Sequence, residues 1–213
     1  MSKVTIKNPV RLSYTNLLTP RAQDDSKPDV LTFSTAILIP KSDTATIDAI
    51  KAAVKEALEE GVVKKWGNKR PAGLKNPLRD GDADRPDDDV YAGHYFINAK
   101  GPRGGKERPI LLDKRGEETT DAEVIYSGVE AQVSLQFYPF DVSGNRGVAC
   151  GISALQSLET GEPLGNAVTA DSARKEFGIS TPASSARDEF SGGADESKPE
   201  GAGAADEDDP WGA

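Results

Sequence analysis

The spacing of apolar and polar positions divides this chain into short strands around one helix. Val4-Thr5-Ile6 alternates and reads as a brief strand. Residues 30–39 (VLTFSTAILI) are dense in branched and aromatic side chains and are closed by Pro40, which predicts a second strand. The period then changes. Ile47, Ile50, Val54, Ala57 and Leu58 fall on one helical stripe, with Lys51, Lys55, Glu56 and Glu59 outside it. Ser42, Asp43 and Thr44 offer N-caps and Gly61 suits the C′ position, so the helix is placed over 44–60.

From Val62 to Pro86 periodicity is lost, and a loop of that length inside a domain is usually functional or disordered. Strands resume at 91–100, 109–113, 124–126 and 129–140. In 129–140, Val129, Ala131, Val133, Leu135 and Phe137 share one face, and Glu130, Gln132, Ser134, Gln136 and Tyr138 the other. Ser143-Gly144-Asn145 signals a turn into a return strand over 148–158. No βαβ alternation appears, so the fold class is mainly β: a small antiparallel barrel with one interposed helix. Beyond Gly165 only 173–177 suggests a helix. From Ser180 onward Ser, Ala, Gly, Pro and acids predominate, which predicts a domain of 1–178 and a disordered tail of 179–213.

Charge sharpens that division. Of the net charge of −9, residues 188–213 hold −8, with nine acids against Lys198 alone. The remaining 187 residues carry 25 bases and 26 acids. The acidity therefore belongs to the tail, and it is not an argument against a nucleic-acid-binding body. No apolar run approaches the roughly 20 residues that span a bilayer, and the N-terminus lacks the h-region of a signal peptide. A single cysteine, Cys150, excludes an internal disulfide and suits a reducing compartment, where it reads as a buried strand residue. The expected location is cytoplasmic, with no membrane partner.

Catalytic constellations fail on inspection. One histidine, His94, cannot supply the usual triads or multi-histidine metal sites. Gly101-Pro102-Arg103-Gly104-Gly105-Lys106 has one spacer residue too few for a phosphate loop, and Glu107 stands where Ser or Thr is needed. The run from Asp80 to Asp84 resembles a calcium loop, yet Arg85 and Tyr91 stand where Gly and Glu are required. A metal-dependent nuclease on Asp80, Asp82, Asp84 and Asp87–Asp89 is kept as a rival, but the reading is no enzyme, no cofactor and no metal.

Positive charge gathers in two places. Lys64, Lys65, Lys69, Arg70, Lys75 and Arg79 lie between Val62 and Arg79 without an acid, and Lys100, Arg103, Lys106 and Arg108 lie near Glu107 alone. Such loops suit backbone phosphates, whose neutralisation releases counterions. Bases need exposed aromatics to stack on, and the candidates are Trp66, Phe96 and Tyr138. Trp66 could equally pack the helix end, and Phe96 could equally belong to a second small core. Asn98, Gln132, Ser134 and Gln136 supply polar strand faces. A second rival is a structural or adaptor protein that uses its basic loops on another protein.

Several ordered blocks resemble a bacteriophage single-stranded DNA-binding protein family with an OB fold. They are FSTAILIPKSD (33–43), PLRDGD (77–82), YAGHYFINAK (91–100), YSGVEAQVSLQFYPFD (126–141) and GNRGVACGISALQSLETGEPLG (144–165). The resemblance implies an OB-fold-like five-stranded barrel that binds ssDNA during phage replication or recombination, without enzymatic activity, in the bacterial host cell. The tail segment Asp206-Glu207-Asp208-Asp209-Pro210-Trp211 resembles in type the acidic tips through which such proteins recruit replication or recombination partners. A homodimer is also among the expected assemblies.

Overall fold

The computed structural model describes residues 2–22 and 27–165. The expected helix at 173–177, the domain boundary at 178 and the tail lie outside the described residues. The elements are β1 (Ser2–Ala22), β2 (Leu31–Pro40), α1 (Thr44–Lys64), β3 (Leu78–Asp80), α2 (Gly81–Asp84), β4 (His94–Lys100), α3 (Pro102–Gly105), β5 (Ile110–Leu112), β6 (Glu130–Val142) and β7 (Asn145–Glu159).

β1 is the largest departure from the sequence reading, which marked only residues 4–6. It pairs with β6 over Ser2–Arg11 and with β2 over Arg11–Ala22, all antiparallel. Its inward residues are Ile6, Val10, Leu12 and Leu17, a set that changes phase between 12 and 17. Register shifts between Ile6 and Val10 and between Ser13 and Asn16 account for this. The first contains Pro9, which cannot donate to a ladder and is tolerated where pairing is interrupted. A strand whose inward phase changes at a bulge carries no continuous alternation for sequence reasoning to find.

The sheet order β3-β4-β2-β1-β6-β7-β5 closes on itself through a parallel pairing of β4 with β7. The result is a five-stranded barrel of β1, β2, β4, β6 and β7, as the sequence reading expects. Three details refine that expectation: the closing pair is parallel, β3 and β5 are added to β4 and β7, and two four-residue helices accompany α1. The closing contact spans only Ala99↔Cys150 and Lys100↔Gly151. Where β4 and β7 diverge, residues 75–80 enter the gap. Lys75 bridges Gly147, and Leu78–Asp80 pair with Tyr95–Ile97. Gly147 permits this approach, because a Cβ there would lie 2.4 Å from the Lys75 carbonyl oxygen. β6 and β7 form a long hairpin through Ser143-Gly144, both at positive φ, as a two-residue primed turn requires.

One expected strand starts later than read, and another takes a different form. Residues 91–93 are turns that deliver the chain to β4, with the His94 amide bonded to the Tyr91 carbonyl. Residues 124–126 are not a strand, because Asp121 turns the chain by accepting from the amides of Glu123, Val124 and Ile125. The side chain of Ile125 still reaches the core.

α1 begins where expected, with Asp43 accepting the Thr46 amide at 3.1 Å. It runs four residues past 60. Ile47, Ile50, Ala53, Val54 and Ala57 join the barrel core. Gly61 is not a cap but a contact point: a Cβ there would sit 2.6 Å from the Trp66 ring and 2.8 Å from Pro139. Gly61→Ala in a helix interior ordinarily gains about 0.5–1 kcal/mol, whereas overpacking costs about 1–3 kcal/mol. The variant is therefore expected to unfold at lower urea concentration than the parent. A midpoint at or above that of the parent would show that the Trp66 contact yields freely.

Candidate nucleic-acid interface

The residues that line the β4–β7 seam make the clearest constellation. Arg79 from β3, Asn98 and Lys100 from β4, and Tyr138 from β6 surround a cavity of about 180 Å³, completed by Pro77, Val148, Ala149 and Cys150. Each arrives for a local reason. On β4 the inward residues are Ile97 and Ala99, so the alternate positions Asn98 and Lys100 face out, both exposed. The same alternation on β6 leaves Tyr138 half-buried on the outer side, beside the buried Phe137. Burial pushes the Tyr138 hydroxyl above its ordinary pKa, so at neutral pH it remains a neutral donor. Arg79 is carried by the segment wedged between β4 and β7. It is held by the Asp84 carboxylate at 2.8 Å and lies 4.9 Å from the Phe96 ring centroid.

The structure does not bring all the other candidates to this place. Lys75 is exposed and adjoins it, since the amide of Val148, a lining residue, donates to the Lys75 carbonyl. Lys64, Lys65, Lys69 and Arg70 are exposed around the end of α1, with Lys64 paired to Glu60. Arg103, Lys106 and Arg108 are exposed in the segment after Lys100, with Arg103 3.1 Å from Glu107. Gln132 and Ser134 lie on the outer β6–β7 surface. Gln132 donates to Gln156, and Ser134 is bonded to Ser153 at 3.1 Å. Gln136, half-buried on the same face, lies opposite Lys3 and Gly151.

Two stacking candidates are corrected. Trp66 is only 7% exposed; it packs on Gly61 and directs its indole N–H to the Phe140 carbonyl at 3.4 Å. It closes the helix end against the barrel. Phe96 is fully buried in a second cluster with Ala36, Leu38 and Tyr91, meeting Tyr91 edge-on at 5.0 Å. It does point to the outer side of β4, as alternation requires, but the turn carrying Val90 and Tyr91 covers it.

The sequence reading missed Tyr14 and Arg85. Tyr14 stands on the part of β1 that the alternation did not reveal. Arg85 drew notice only as the residue that spoils a calcium loop, yet its guanidinium lies 5.2, 4.5 and 5.7 Å from the rings of Tyr14, Tyr91 and Phe96. Four carboxylates of the nuclease reading, Asp80, Asp82, Asp84 and Asp88, are paired with cations of this chain. Lys41 bonds both Asp80 and Asp82 at 2.6 Å, Arg79 takes Asp84, and Arg85 lies 3.7 Å from Asp88. The Lys41 ammonium, followed by backbone donors, holds Asp80 and Asp82 below the usual carboxylate range. Among the described residues, no group of three or more His, Cys, Asp or Glu side chains is placed to hold a metal ion.

Comparison with known proteins fits this geometry. Residues 2–190 match the family described as Enterobacter phage Enc34, ssDNA-binding protein. The chain belongs to this family. It is also 31% identical over 170 residues to protein p50 of Acyrthosiphon pisum secondary endosymbiont phage 1, covering 75% of this chain and 85% of that protein. Among solved structures, the single-stranded DNA-binding protein of bacteriophage Enc34 in complex with ssDNA shares the fold with a TM-score of 0.59 at 24% identity, over 76% of this chain and 88% of that one. The single-stranded DNA-binding protein gp2.5 of bacteriophage T7 shares it with a TM-score of 0.53 at 14% identity, over 79% of this chain and 98% of that one. The family and these neighbours are DNA-binding proteins, not enzymes.

Cys150 lines the cavity and is 3% exposed, and burial pushes its thiol well above the ordinary range. Thiolate is the reactive form. A disulfide reagent such as DTNB at pH 8 is therefore expected to leave the folded protein unlabelled for hours and to titrate one thiol in guanidinium. Rapid labelling of the native protein would contradict the buried placement.

Proposed function

We propose that this chain is a sequence-tolerant single-stranded DNA-binding protein that coats ssDNA during phage DNA replication or recombination in the cytoplasm of the host cell. The observation that carries the reading is the grouping of Arg79, Asn98, Lys100 and Tyr138 around one cavity on the barrel surface. Asn98 and Lys100 stand on β4, the third strand of the barrel and one of the two whose face receives oligonucleotides in OB folds. Two cations there suit phosphates, a half-exposed ring suits a base, and Asn98 can donate to and accept from a base edge. The exposed lysines and arginines of 64–75 and 103–108 flank this centre along the chain and extend the positive surface for the backbone. Membership of a family named for ssDNA binding, and the ssDNA complex of its Enc34 member, support the same reading.

Fluorescence anisotropy with labelled oligo(dT) and with a duplex of the same length, at two salt concentrations, tests it. Single strands are expected to bind more tightly than duplex, with affinity falling steeply as salt rises. Neutralising one phosphate contact shifts the log–log salt slope by roughly 0.7 on single strands, so Lys100→Ala and Arg79→Ala should each flatten the slope by about that amount. Equal affinity for single and double strands, or none for either, would reject the reading.

The acidic tail has a separate role in this proposal. Asp206, Glu207, Asp208 and Asp209 imitate phosphates and compete for the basic surface, and Pro210-Trp211 dock into a replication or recombination partner. The described chain ends bonded back to the body of the domain. The Leu164 amide donates to the Ser127 carbonyl at 2.7 Å, and the Ser127 hydroxyl accepts the Thr15 amide at 2.9 Å. Deleting 188–213 is expected to tighten ssDNA binding several-fold at low salt and less at high salt. An unchanged dissociation constant would reject the competition.

A further inference from the structure

Tyr14 combines two properties that rarely coincide. It is 59% exposed, the one aromatic among the described residues that stands so far into solvent, and its backbone is left-handed at φ +47°. A bulky side chain at positive φ is a steric outlier that the surroundings must impose. Here they do. The Asn16 side-chain Nδ2 donates to the Tyr14 carbonyl at 3.1 Å, the Thr15 backbone amide donates to the Ser127 hydroxyl, and the β1–β2 register breaks between Ser13 and Asn16. A bulge of this kind re-aims a side chain. No burial of the ring offsets the strain, so its value lies in what the ring faces.

The ring is also supported from one side. The Arg85 guanidinium lies over it, with a long contact of 3.5 Å to the phenolic oxygen, and is anchored beneath by Tyr91 and Phe96. Phe96 carries Arg79 as well, at 4.9 Å. Tyr14, Arg85, Phe96 and Arg79 thus form a continuous set of contacts leading to the Asn98–Lys100–Tyr138 cavity.

We propose that Tyr14 is a base-stacking residue and Arg85 the positioning residue that holds its ring, so that Tyr14 and Tyr138 receive bases at separate points of one ssDNA path. This rests on the ssDNA reading above. Stacking on one aromatic contributes enough that its removal weakens binding about tenfold. It involves no phosphate, so the salt dependence is left unchanged.

The test uses the full chain and labelled oligo(dT). Tyr14→Ala is expected to weaken binding roughly tenfold with an unaltered salt slope, and Tyr14→Phe to stay near the parent. Tyr14→Gly relieves the positive φ, so it should melt no lower than the parent while binding as weakly as Tyr14→Ala. Photocrosslinking of an oligonucleotide carrying 5-iodouracil should modify the peptide containing Tyr14, with a reduced yield in Arg85→Met, which keeps the stem but not the cation. Parent-like binding by Tyr14→Ala, or a loss that follows a lowered melting temperature across all three variants, would overturn the inference while leaving ssDNA binding intact. A parent chain that ignores ssDNA would overturn both.

Discussion

The barrel depends on a closure only two residue pairs long. Five twisted strands meet edge to edge where Ala99 and Lys100 lie beside Cys150 and Gly151, and beyond them β4 and β7 separate. Open strand edges carry unpaired amides and carbonyls, which a folded protein must cover or pair. The chain meets this demand with residues 75–80, whose backbone bonds to β7 at Arg146 and Val148 and pairs with β4 at Tyr95–Ile97. The groove is a by-product of that repair. Its two lips are the diverging strands, and Arg79 stands on the inserted segment between them.

The same economy explains the charges. Acidic residues 80–88 resemble a metal site because they are dense in the sequence, yet four of their carboxylates lie against neighbouring bases. Asp84 fixes Arg79, Asp88 lies beside Arg85, and Asp80 and Asp82 share Lys41. Exposed pairs of this sort contribute little stability, about 0–1 kcal/mol each. Their larger effect is geometric, since they hold long flexible cations over the aromatic rings of Phe96 and Tyr91 without removing them from solvent.

Much of this was legible in the sequence, and the exceptions have physical causes. Where one face is buried and pairing is regular, alternation speaks plainly, as in the inward series Val129, Ala131, Val133, Leu135 and Phe137. The stripe of α1 was equally clear from Ile47 to Ala57. β1 was not, because its bulges reverse the inward phase between Leu12 and Leu17. Trp66 and Phe96 were ambiguous because an aromatic in a basic or polar setting reads the same whether another segment covers it or not. The cover in each case includes residues far along the chain, Pro139 and Phe140 for one, Ala36 and Leu38 for the other. Arg85 was hidden by its context, since only the fold shows that the rings around it belong to three separate segments.

β1 also constrains the order in which this protein can be made. Its first half pairs with residues some 130 positions later, Ser2 with Phe137 and Ile6 with Val133. On a ribosome, β2 can join β1 early, while the other edge of β1 has no mate until β6 has emerged. The β6–β7 hairpin, by contrast, closes locally through a two-residue turn. Long-range pairing of this kind slows folding, because loop closure precedes the contacts that reward it. The nascent chain therefore exposes an unmatched strand edge for most of its synthesis, and the barrel becomes complete only when its last long hairpin arrives.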